Sequence, residues 1–180
     1  MKKFILIDET IEMFGVTLHR IKAVRSFGSV KEGDLGGFVE KEENISEDFE
    51  AWVCGDAKVW GNAKVEGNAK VEGNAIVSDN ANVWGNAKVE GNAIVSDDAN
   101  VCGNAIVWGN ADYIVFKNWW SSGRYFTWTR SNNMWSVGCF YGTGEELIKK
   151  AYQDSEKIGR EYERVVKYVE SILEDKKNEK

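Results

Sequence analysis

Histidine is almost missing from this 180-residue chain: His19 is the only one. Any chemistry that needs a neutral-pH general base therefore has a single imidazole to draw on. Cysteine is scarce and odd in number, with Cys54, Cys102 and Cys139 far apart in sequence. That pattern reads as free thiols in a reducing cytosol, not as a disulfide framework. No segment approaches the roughly 18 consecutive apolar residues of a membrane span. The apolar run at residues 4–7 is too short for a secretory leader. The net charge of −6 withholds the positive excess with which general nucleic-acid binders neutralise phosphates. A cytoplasmic protein with neither membrane nor nucleic-acid partners is expected.

What the chain has in abundance is a repeat. Valine recurs every six residues from Val53 to Val107, and alanine does so from Ala51 to Ala111. Asn or Asp precedes each of these alanines from Ala57 onward, with Gly before it except at Asp79 and Asp97. A period of six fits neither a helix nor an ordinary strand; it fits a short strand and a bend, repeated. Valine suits the inward pleat, alanine the tight inner position, and Gly-Asn the corner. A longer period sets the coil. Lys70–Ala87 and Lys88–Ala105 agree at 16 of 18 positions, differing only at Asn80/Asp98 and Trp84/Cys102. Eighteen residues then make one turn with three short sides, and residues 18 apart stack about 4.8 Å apart. Ile76 falls over Ile94 and Asn82 over Asn100. At roughly 1.5–3 kcal/mol per buried valine the inner column is substantial but thin, so both ends need covering. Trp60, Ile76 and Ile94 point outward on one side, and such an apolar column marks an expected subunit interface.

The unit Val59-Trp60-Gly61-Asn62-Ala63-Lys64 resembles the hexapeptide-repeat superfamily, whose motif is aliphatic-x-x-x-small-x. The resemblance implies a left-handed parallel β-helix and assembly as a homotrimer. The expected fold class is mainly β: this β-helix with 18 residues per coil, an N-terminal β cap, and a C-terminal β-hairpin plus two helices. The corresponding divisions are 1–50, 51–112, 113–142 and 143–180.

The ends differ from the repeat. Apolar and alternating segments at Phe4–Ile7 and Val16–Val24, around a turn at Phe14-Gly15, read as strands of the cap, with His19 on the second. Residues 113–144 contain no Asp or Glu, only three cations (Lys117, Arg124, Arg130), and ten aromatic residues. Alternation along Tyr125–Arg130 puts Phe126, Trp128 and Arg130 on one face and Tyr125, Thr127 and Thr129 on the other. Ser131-Asn132-Asn133 is a plausible turn, with Met134–Tyr141 as the returning strand. Some of these aromatics serve packing under the helices that follow. Others suit a ligand: Ser121, Ser122 and Gly123 can offer backbone N–H groups to an anion, Arg124 and Arg130 add charge-assisted bonds, and Trp119, Trp120 or Trp128 can stack on a planar base. Thr143-Gly144-Glu145-Glu146 has the form of a capping box opening a helix. A second helix carries Ile158, Tyr162, Val165, Val169, Ile172 and Leu173 along one face.

Three further segments, Leu18–Val24, Phe27–Gly37 and Gly138–Thr143, resemble a family of hexapeptide-repeat proteins common in phages and prophages, and the likeness covers nearly the whole chain. Members often carry a Gly-Ser-Arg loop before the hairpin, for which the nearest match here is Ser121-Ser122-Gly123-Arg124. Such proteins are usually labelled transferases from the repeat alone. Hexapeptide-repeat acyltransferases use a His general base beside a loop ejected from the coils, whereas residues 51–112 hold no His, no Arg and no excursion. A CoA-dependent acyltransferase and a structural scaffold remain alternatives. The expected function is binding without turnover of a small anionic, aromatic, nucleotide-like ligand. By analogy with phage proteins that sequester nucleotide immune signals, it would be an anti-defence sponge. Neither a cofactor nor a metal is expected.

Overall fold

A computed structural model describes residues 2–178 of the chain. The hexads fold as ten two-residue strands, β4 to β13, running from Trp52–Val53 to Ile106–Val107. Every valine of the series is fully buried, and the alanines from Ala51 to Ala105 are buried with them. The strands stack in parallel at an interval of 18, as in Lys70 beside Lys88 and Asn82 beside Asn100. Each coil donates backbone N–H groups to carbonyls of the next, for example Lys58 N to Ala75 O at 2.9 Å. The corners need left-handed backbone: Gly67 has φ 65°, and Asp79 and Asp97, which stand in the glycine position, adopt φ 59°. Short polar side chains tolerate that region better than others do. The result is a parallel β-solenoid with three sides.

The N-terminal residues do more than cap it. Strands β1 (Phe4–Met13) and β2 (Val16–Ala23) form an antiparallel pair, and β2 pairs with β3 (Leu35–Val39). β3 then joins the solenoid in parallel, with Phe38 beside Lys58 and Val39 beside Val59. Ile45 likewise bridges to Val65. These partners are 20 residues apart where the repeats keep 18, so the stretch 37–53 is an irregular coil. Gly37 occupies the small inner position beneath Ala57: a Cβ there would stand 2.5 Å from Ala57 O and 2.7 Å from Val53 Cγ1. Just before Ile45, buried Asn44 fastens the same coil, its Nδ2 donating to Ala63 O at 2.8 Å and to Gly61 O at 3.3 Å.

At the other end the expected hairpin is the middle of a larger sheet. Strands β14 (Tyr113–Lys117), β15 (Tyr125–Thr129), β16 (Met134–Val137) and β17 (Phe140–Gly142) form an antiparallel sheet in chain order. The returning strand expected over Met134–Tyr141 breaks at Gly138, whose φ of 58° turns the chain so that Val137 faces Phe140 and Trp135 faces Gly142. Two-residue turns of this kind need positive φ. Helix α1 (Gly144–Asp154) begins at the expected capping box, with Thr143 N donating to Glu146 Oε2 at 2.8 Å and Glu146 N to Thr143 Oγ1 at 3.3 Å. Helix α2 (Glu156–Asn178) follows. Phe126, Trp128, Trp135 and Val137 pack against Leu147, Ala151, Tyr162, Val166 and Val169 of these helices. No helix among the described residues is long and apolar enough to cross a membrane.

Candidate functional site: a cleft between the last coil and the C-terminal sheet

A solenoid ends on a row of backbone groups that have lost the coil they would have paired with. Here side chains supply the missing acceptors. Ile94 N donates to Asn110 Oδ1 (3.0 Å), Asn100 N to Thr127 Oγ1 (2.9 Å), and Ile106 N to Ser131 Oγ (2.7 Å). Asn100 Nδ2 also donates to Ser136 Oγ at 2.8 Å. This is why β15 and β16 carry Thr127 and Ser136 on the face away from the helices: they dock the sheet on the coil's open edge. Tyr113 and Val115 of β14 pack on the end of the solenoid core itself.

The docking leaves a cleft of about 370 Å³ beside that edge. Its floor is Asn80, Asn82, Asp98, Ala99 and Asn100, and its opposite wall includes Tyr125, Thr127, Ser136, Gly138 and Arg124. The floor residues sit on the coil side formed by β6 (Lys64–Val65), β9 (Asn82–Val83) and β12 (Asn100–Val101), or on the corner leading to it. Arg124 runs past Gly138, its Cδ 3.5 Å from where a Cβ would stand, so the glycine makes room for the guanidinium stem. Among the described residues Arg124 forms no ion pair within 4.0 Å. Floor polar groups are partly spent: Asn100 Oδ1 accepts from Trp84 Nε1 at 2.6 Å. Asn82 Oδ1 is buried and has no hydrogen-bond partner among the described residues.

The eight residues expected at a site do not come together as one. Arg124 lines the cleft. Trp128 is 2 % exposed, in the core beneath the helices, with Nε1 donating to Asn133 Oδ1 at 2.9 Å; its ring has no free face. Arg130 lies 3.7 Å from Asp112, whose Oδ2 also accepts from Trp108 N and Gly109 N, so it braces the exit from the last coil. In the loop at Trp119, Trp120, Ser121, Ser122 and Gly123 one of the N–H groups expected to receive an anion, that of Ser121, is in use. Buried Asn118 accepts from Trp120 N and Ser121 N through Oδ1, both at 3.1 Å. Arg124 N donates to Ser122 Oγ at 3.3 Å. Side-chain carbonyls compete with any ligand for such groups. Trp119 and Trp120 remain exposed, and Lys117 Nζ sits 4.2 Å from the Trp119 ring and 4.9 Å from the Tyr125 ring.

Asn80, Asn82, Asp98 and Asn100 were not expected, because residues at repeat positions read as corner and surface. One signal pointed to them. Of the two mismatches between the 18-residue blocks, Asn80/Asp98 lines the cleft, and the cysteine of Trp84/Cys102 lies beside Ser136 of β16. Cys102 is buried, which pushes its thiol up to about 11 and keeps it protonated near neutral pH. His19 lies on β2, four strand spacings from β11 (Ile94–Val95) in the same sheet, roughly 19 Å away at about 4.8 Å each. Among the described residues no group of three or more His, Cys, Asp or Glu is placed to hold a metal ion.

No family model and no curated protein sequence matches this chain. The functional reading therefore rests on the cleft.

Proposed function

We propose that the protein binds a small anionic, aromatic ligand of nucleotide type in the cleft between the last coil and the C-terminal sheet, and releases it unaltered. The observation that carries this reading is the meeting, in one cleft, of the Arg124 guanidinium, the Tyr125 ring and a floor of side-chain amides. A guanidinium suits phosphate, a phenol ring suits a base face, and amides suit base edges. A volume of about 370 Å³ lies in the range of small-ligand sites. His19 lies at the opposite end of the coil, so within one chain it cannot serve as base in this cleft. The likeness to phage hexapeptide-repeat proteins motivates the biological form of the proposal, capture of a nucleotide immune signal.

Calorimetric titration against a nucleotide panel tests it. Losing a charge-assisted partner costs about 1.5–3 kcal/mol, so Arg124→Ala should weaken binding by about tenfold or more while leaving the fold intact. Mass spectrometry of ligand recovered after denaturation should show it unchanged; an altered mass would mean catalysis. Equal affinity in wild type and Arg124→Ala would remove the cleft from consideration.

A homotrimer belongs to the same proposal. Ile94 is 40 % exposed above half-buried Ile76, and Phe14, 85 % exposed, meets Trp60 on that side with ring centroids 6.2 Å apart. An apolar stripe on so thin a solenoid is expected to be covered by another copy. Light scattering should give three times the chain mass of 20.3 kDa. A monomer at micromolar concentration would abolish this interface.

A further inference from the structure

We infer that the cleft selects a guanine-type base, reading its paired N–H donors with the Asp98 carboxylate. This rests on the nucleotide reading above and names the ligand class within it. Along each corner of the solenoid the amides form ladders, each Nδ2 donating to the Oδ1 of the next coil. Asn68 donates to Asn86 and Asn86 to Asn104, both at 3.1 Å, and Asn74 donates to Asn92 at 3.2 Å. The ladder that leads into the cleft is different. Asn62 donates to Asn80 at 3.1 Å, and Asn80 donates at 3.3 Å to Asp98, a carboxylate.

An amide at the top of a ladder would offer the cleft both a donor and an acceptor; a carboxylate only accepts. Asp98 Oδ1 takes the ladder's last proton, and among the described residues Oδ2 receives no hydrogen bond and the side chain has no ion pair. Asp56 is the other acid at this hexad position, and it faces Arg20 at 3.8 Å. Asn82, also on the floor, keeps its Oδ1 buried and without a hydrogen-bond partner among the described residues, so Asp98 supplies the open acceptor. The floor thus presents a carboxylate, and the opposite wall a cation.

Among the nucleobases only guanine carries two adjacent donors on its pairing edge, N1–H and N2–H₂. Adenine would bring its N1 lone pair against the carboxylate, cytosine its N3, and uracil two carbonyls around one N–H. A site built from acceptors discriminates strongly against such edges, because it leaves its own groups unpaired. Arg124 is positioned for the phosphate and Tyr125 for the ring face.

The test compares GMP, AMP, CMP and UMP by calorimetry on the wild-type protein and on Asp98→Asn. The variant restores the residue found one coil below at Asn80, so the ladder continues, and an unchanged melting temperature checks that it folds. GMP should bind at least about tenfold more tightly than AMP, CMP or UMP to the wild type. In Asp98→Asn the ratio of GMP to AMP affinity should collapse towards one. Nucleotide binding without a guanine preference, or a preference that survives Asp98→Asn, would overturn this inference and leave the binding function standing. Failure of every nucleotide to bind would overturn both.

Discussion

Trp128→Ala is expected to destabilise the C-terminal sheet and its helices by about 3–5 kcal/mol, the usual cost of emptying a buried tryptophan site. Trp128 is 2 % exposed in the cluster that joins β15 and β16 to α1 and α2, directly opposite Trp135 in the ladder. Truncation removes the ring from that cluster and leaves Asn133 Oδ1 without the Nε1–H that holds the turn at 131–133. Denaturant unfolding followed by near-ultraviolet circular dichroism should show the loss, and limited proteolysis should cut early between β17 and α1. Trp119→Ala and Trp120→Ala, at 69 % and 73 % exposure, should stay within about 0.5 kcal/mol of wild type. If all three variants behaved alike, Trp128 would not be a core residue.

The contrast shows what strand alternation can and cannot say. It correctly puts Phe126 and Trp128 on one face of β15 and Tyr125, Thr127 and Thr129 on the other. It does not say which layer each face will meet. The acid-free, aromatic composition of the segment pointed to Trp128, on the first of these faces, as a residue that stacks on the ligand. In the fold that face is consumed by the helices, and the hydroxyl face meets the coil's open edge and walls the cleft. Hydroxyls belong there because Asn100 N and Ile106 N have no further coil to pair with, a need that exists only once the solenoid is assembled. Asn118 was hidden for a different reason. Its role depends on the local turn that folds Trp120 N and Ser121 N around its side chain, and composition carries no trace of that.

Gly37→Val is expected to lower stability by about 3 kcal/mol or more, above the usual range for overpacking, because the obstacle is backbone. The hexad pattern begins at Ala51, yet the parallel ladder begins with β3. The interval of 20 residues, and the replacement of alanine by Gly37, conceal this first coil from a search for sixes. A Cβ at Gly37 would approach Ala57 O to 2.5 Å. That oxygen already accepts from Phe38 N at 2.9 Å, so it cannot withdraw without breaking the bond that fastens β3 to the solenoid. The valine must therefore push β3 outward, taking β1 and β2 with it and uncovering the end of the inner column at Val53 and Ala57. Gly109→Ala is the control, since a Cβ at Gly109 meets nothing within 4 Å and its φ of −161° suits any residue; it should change stability by no more than about 0.5 kcal/mol. Thermal and denaturant melts of the two variants decide the matter. A Gly37→Val protein as stable as Gly109→Ala would mean that the solenoid starts with the hexads, and that residues 35–50 lie loosely over its end.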